Sequence, residues 1–85
     1  MYTIYWQQKA RKQVAKILDR TIRMNIEEAV STLSDLQTEK NIKPLTNHQY
    51  GYRLRVGNYR ILFDATHEIQ IIDIQEVKKR DERTY

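Results

Sequence analysis

Cysteine is absent from the 85-residue chain. Its absence excludes disulfide bridges, thiolate nucleophiles and cysteine-ligated zinc. Glycine occurs twice and proline once. So few chain breakers leave no room for a flexible linker or a low-complexity tract, and no segment repeats. The only imidazoles are His48 and His67. Two histidines among scattered carboxylates give no metal-ligand spacing, so neither a metal nor another cofactor is expected. No apolar run reaches the length of a signal-peptide core or a membrane helix. The expectation is a soluble, cytoplasmic protein with no membrane partner. The length admits one small domain, residues 1–85, and no second core.

What the chain does have is positive charge. Fifteen Lys and Arg oppose 11 Asp and Glu, for a net charge of +4. The balance favours an anionic partner such as nucleic acid. Its distribution is uneven. Residues 1–20 carry five cations (Lys9, Arg11, Lys12, Lys16 and Arg20) and one anion, Asp19, whereas residues 51–85 carry seven cations and six anions. A site in the second half therefore depends on which face its cations occupy, not on net charge.

Hydrophobic periodicity orders the chain. "YTIYW" (2–6) is β-branched and aromatic, as strands are. In "QQKARKQVAKILD" the residues Ala10, Val14, Ile17 and Leu18 share one helical face, with Lys9, Lys16 and Arg20 roughly opposite and Lys12 nearby. "TIRMNIEEAVSTLSDL" repeats the pattern with Ile22, Ile26, Ala29, Val30, Leu33 and Leu36. Its start fits either Asp19 as an N-cap or Asn25 with Glu28 as a capping box. "TEKNIKPLTNHQ" has loop composition.

Three strands are expected beyond it. "YRLRV" alternates Tyr52, Leu54 and Val56 with Arg53 and Arg55. Gly57-Asn58 supplies a turn that tolerates positive φ. "YRILF" sets Tyr59, Ile61 and Phe63 against Arg60. "DATHE" is a second turn, and "IQIIDIQEV" is apolar enough for a more central strand. The pattern predicts an α+β fold, β-α-α-β-β-β, with two helices covering one face of a small, mainly antiparallel sheet.

The helices would pack on the Tyr52, Leu54, Ile61 and Phe63 side. Arg53 and Arg55, and Arg60 if the hairpin register allows, would then occupy the open side. The C-terminal "KKRDERTY" leaves the last strand close by, so that Lys79, Arg80, Arg83 and Tyr85 could reach the same surface. Cations beside an aromatic ring on an open sheet suit RNA, by holding phosphates and stacking on bases. Alternate cations on a solvent-facing strand also discourage edge-to-edge pairing, so spacing alone leaves a purely structural role open. The Lys9, Lys12, Lys16 and Arg20 stripe fits a solvated helix face or a secondary RNA contact. His48 precedes the arginine strand and is a candidate to join it, whereas His67 is expected to be solvated in its turn. Asp73, inside an apolar strand, needs a partner if buried.

Together, "YTIYWQQKARKQVAKIL", "IKPLTNHQYGYRLRVGNYRILF" and "EVKKRDERTY" resemble the RelE/ParE superfamily of bacterial type II toxins. The resemblance covers nearly the whole chain, and "YRLRVGNYRILF" is its most specific part. It implies a RelE-like fold and ribosome-dependent cleavage of mRNA in the ribosomal A site. It also implies roles residue by residue. Arg53 and Arg55 would grip mRNA or ribosomal phosphates, with Lys78 and Arg83 as further RNA-binding cations. Arg60 would contact the scissile phosphate. Arg80 matches the basic residue after the last strand, and Tyr85 the terminal aromatic. The chain departs from the family at Lys78 and Lys79, where Gly and His are frequent, so that Lys79 or Arg80 would supply the C-terminal catalytic cation.

In such a site the RNA 2′-hydroxyl is the nucleophile and no metal is required. A tyrosine phenol is a poor base at neutral pH, and clustered cations favour its ionised form. The resemblance thus casts Tyr85 as assisting 2′-hydroxyl deprotonation and Arg60 and Arg80 as stabilising the phosphorane. Arg80 or Lys79 would help the leaving 5′-oxygen take a proton. The implied partners are a cognate RelB-like antitoxin, in a complex expected to be oligomeric, and the ribosome with its mRNA. Two alternatives remain. One is the ParE branch, whose members look similar and poison DNA gyrase. The other is a non-catalytic RNA-binding module.

Overall fold

The computed structural model describes residues 1–38 and 41–79. The chain forms β1 (Thr3–Trp6), α1 (Gln8–Ala15), α2 (Arg20–Ser31), a 3₁₀ segment (Thr32–Thr38), β2 (Ile42–Pro44), β3 (Tyr52–Val56), β4 (Tyr59–Thr66) and β5 (Ile71–Lys79). All five strands lie in one sheet, in the order β1-β5-β4-β3-β2. β1 runs parallel to β5, and the other neighbours are antiparallel.

The period-two pattern decides which side the helices cover. Leu54, Ile61, Phe63, Ile72, Ile74 and Val77 form one core with Ala10, Val14 and Ile17 of the α1 region and Ile26, Val30 and Leu33 of the α2 region. Each fully buried Leu, Ile or Phe contributes about 1.5–3 kcal/mol. The two helices therefore sit on one face of a five-stranded mixed sheet, in an α+β arrangement.

Local chemistry fixes the joints. Asp19 Oδ1 accepts the backbone N–H groups of Thr21 at 2.8 Å and Ile22 at 3.3 Å, capping α2. Of the two starts the sequence allows, this one is realised, and Asn25 and Glu28 lie inside the helix. The Arg23 guanidinium donates back to the carbonyls of Ile17 and Leu18 in the connection between the two helices. α1 lies against β5, where Gln13 Oε1 accepts the Val77 N–H at 2.7 Å. In the β3–β4 hairpin Gly57 takes φ +56°, a conformation available to glycine at little cost.

The structure departs from the sequence pattern at three places. Leu18 is 96% exposed, because α1 ends at Ala15 and helical spacing no longer governs position 18. Ile42–Pro44 forms an added edge strand inside the expected loop, and proline at its end removes a donor only where a sheet edge tolerates the loss. β4 continues through Asp64, Ala65 and Thr66, which moves the turn to residues 67–70.

A candidate nucleic-acid interface

The helix-free face of the sheet is built by strand register. Arg55 stands directly opposite Arg60, and Arg60 opposite Lys78, so three cations form one row across β3, β4 and β5. The next row runs Lys43, Arg53, Leu62 and Glu76 across β2 to β5. Leu62 is only 5% exposed yet stands apart from the main core. It is an apolar floor flanked in register by Arg53 and Glu76. Arg53, Arg55 and Arg60 therefore do share the open side, because a two-residue turn joins their strands.

Arg53 is half-buried, and its Nε is shielded from solvent with no hydrogen-bond partner among the described residues. A buried N–H without an acceptor costs free energy.

The strand β5 carries a bulge. Leu62 pairs with Glu76 but Phe63 pairs with Ile74, leaving Gln75 as an extra residue. Strict alternation from Ile72 and Ile74 would put Lys79 on the arginine face and Lys78 among the helices. The bulge reverses this. Lys78 stands beside Arg60, and Lys79 stands opposite Tyr59 on the helix side. There Lys79 lines a cleft of about 310 Å³ with Ile22, Asn25, Val56 and Tyr59. Arg80, Arg83 and Tyr85 lie outside the described residues, as does the side chain of Leu36.

Acidic groups occupy the far end of the same face. Asp64 stands opposite Asp73. Asp64 accepts the Gly51 N–H at 2.7 Å and the Gln75 amide at 3.2 Å. Asp73 is only partly buried and accepts the Gln7 amide at 3.0 Å. The face is thus cationic near the β3–β4 turn and anionic towards the other end of β4. Such a charge distribution favours an anion at the cationic end over one lying along the strands.

Neither histidine joins the arginines. His48 precedes the opposite end of β3 from Arg55, and its Nδ1 accepts the Tyr50 N–H at 3.1 Å. His67 is not simply solvated. Its Nδ1 meets the Tyr2 hydroxyl at 2.7 Å and its Nε2 the Tyr52 hydroxyl at 3.0 Å. Glu76 was not singled out by the sequence pattern either. Its side chain is 12% exposed, and Oε1 lies 3.4 Å from Lys9 Nζ and 3.6 Å from Lys78 Nζ.

No protein-family model and no curated protein sequence matches the chain. Solved structures do. It is similar to a chain of the RelBE2 toxin–antitoxin complex from Mycobacterium tuberculosis, with 26% identity, 93% of this chain and 98% of that chain covered, and a TM-score of 0.77. It is similar to one of the archaeal RelE–RelB complex from Pyrococcus horikoshii OT3, at 17% identity, 95% and 97% coverage and a TM-score of 0.80. The isolated E. coli RelE toxin matches at 15% identity, 96% and 87% coverage and a TM-score of 0.79. The fold expected from the sequence resemblance is therefore present: two helices on a five-stranded mixed sheet, in the RelE-like α+β arrangement.

Proposed function

We propose that this chain, built on the RelE fold, is the toxin of a bacterial toxin–antitoxin pair and cleaves mRNA on the ribosome. The observation that carries the proposal is the row Arg55–Arg60–Lys78 on the helix-free face, with Arg53 one row behind it. Like charges directly opposed across strands destabilise a sheet, and an anion bound between them removes the repulsion.

Phosphodiester cleavage through the 2′-hydroxyl asks three things of a protein. It must align that oxygen with the adjacent phosphate, accept its proton, and offset the charge that builds on the phosphorane. Arg53 and Arg55 hold the flanking phosphates. Arg60 meets the scissile one, aided by Lys78 and by Arg80. Tyr85 accepts the 2′-hydroxyl proton, and Arg80 offsets the charge on the leaving 5′-oxygen as it takes a proton from water. The products are a 2′,3′-cyclic phosphate and a 5′-hydroxyl end, formed without a metal. Lys79 points to the helix side and takes no part in this scheme, while Arg83 adds an RNA contact.

The proposed partner is a RelB-like antitoxin, as in the RelE–RelB complexes that share this fold. The pair would assemble as a cytoplasmic oligomer. A cationic domain of 85 residues gains stability from a partner that binds only its folded form, and acidic side chains on an extended antitoxin complement the charge.

In-vitro translation followed by primer extension tests the proposal. Cuts should fall at codon-defined positions on ribosome-bound mRNA, and free RNA should be cut poorly. Gyrase-dependent DNA breaks would instead place the protein in the ParE branch. RNA binding with neither activity would leave only a binding module.

A further inference from the structure

Glu76 is an anomaly on a face proposed to bind phosphate. It is a carboxylate one row from Arg60, and the chain buries it. A buried carboxylate needs compensating partners, and Glu76 has two ammonium groups on one oxygen. Lys9 reaches it from α1 and Lys78 from two residues along the same strand. We infer that Glu76 is the positioning residue of the site: it pins the Lys78 ammonium beside Arg60, and Lys9 braces it from the helix side. The inference rests on the RNA-cleaving reading for its functional half, and on geometry alone for its structural half.

The physical need is clear from the side chains. Arg60 ends in a rigid planar fork, whereas Lys78 ends in a point charge on four rotatable bonds. Left free, that ammonium spreads over many rotamers, and its value to a transition state depends on being in place beforehand. An ion pair at a solvated surface would not hold it. Here the carboxylate is 12% exposed while the Lys9 and Lys78 side chains are 60% and 58% exposed, so the pairing is shielded at its carboxylate end and open to salt at its ammonium ends. Lys9 separates in role from the rest of the helix-one stripe. Lys12 and Lys16 are exposed and share no carboxylate with the face among the described ion pairs.

The test is a double-mutant cycle with an activity-independent readout. Glu76→Gln keeps the shape and removes the charge. On electrostatics alone it should strengthen RNA binding, since it deletes an anion. The expected result is a fall in single-turnover cleavage of about tenfold with undiminished ribosome and RNA affinity, and partial rescue in Glu76→Asp. Because Glu76 acts through Lys78, the Glu76→Gln/Lys78→Ala double variant should be no slower than Lys78→Ala alone. Fully additive losses would overturn the inference. Lysine Nζ NMR supplies the second readout, with thermal melting reporting the folded fraction. The Lys9 and Lys78 ammonium signals should lose order in Glu76→Gln, and unchanged signals would refute the positioning role whether or not the protein cuts RNA. If wild type fails to cut ribosome-bound mRNA, the nuclease reading falls by itself, and the ammonium signals alone decide whether Glu76 holds the lysines.

Discussion

Arg55 and Arg60 stand directly opposite each other across the β3–β4 hairpin. An opposed pair of like charges costs stability, so removing one member should relieve the hairpin. Arg55→Ala is expected to raise the unfolding free energy by about 0.5 kcal/mol at low salt, measured by urea denaturation, while weakening RNA binding. A destabilising effect with RNA affinity intact would mean that Arg55 serves the fold instead. Arg60→Ala is expected to slow cleavage about a hundredfold, or roughly 3 kcal/mol of transition-state stabilisation. Lys12→Ala on the far helix surface should leave the rate unchanged, and equal rates in the two variants would remove Arg60 from the chemistry. These arginines were legible in the sequence because alternation through 52–56 and 59–63 is unbroken. Glu76 was not, because its ion partners lie 67 positions back, at Lys9, and on the same strand beyond an irregularity that side-chain identity does not announce.

The joints between elements were legible to differing degrees. The sequence offered two starts for α2, and hydrogen bonding to Asp19 selects one. Asp19→Ala should lower stability by about 1 kcal/mol in chemical denaturation, whereas Asn25→Ala should change it little. Leu18 looked like core because helical spacing was extended past the point where α1 stops. The short strand β2 hid in a stretch with the asparagine and proline of a loop, since an edge strand of three residues needs little strand propensity when β3 supplies its partner. The parallel placement of β1 beside β5 could not be read locally at all, because it joins the two ends of the described chain.

The same long-range closure appears in the molecule as a whole. His67 ties the start of the chain, through Tyr2, to β3, through Tyr52, and Tyr52 stacks on Phe63 at 5.3 Å between ring centroids. His67→Ala would cut both ties at once. About 1–2 kcal/mol of stability should be lost, seen as a lower melting temperature, with cleavage by the folded fraction unchanged because the clip lies far along β4 from Arg60. Loss of activity without loss of stability would contradict that separation. The division of the open face into a cationic and an anionic end has its own signature. RNA binding should weaken steeply with salt, and Asp73→Asn should increase non-specific RNA affinity by relaxing the repulsion at the acidic end.

The bulge at Gln75 makes the end of β5 sensitive to counting rather than to chemistry. One residue is supernumerary, so the strand beyond it is out of phase with the strand before it. Deleting Gln75 would restore plain alternation and still leave Ile74 and Val77 inward and Glu76 and Lys78 outward. Deleting Val77 would shift the phase, turning Lys78 towards the helices and Lys79 towards the arginines. One single-residue deletion should thus be tolerated and another, two positions away, should not. Drift in length at this strand would change which lysine stands beside Arg60 without a single substitution.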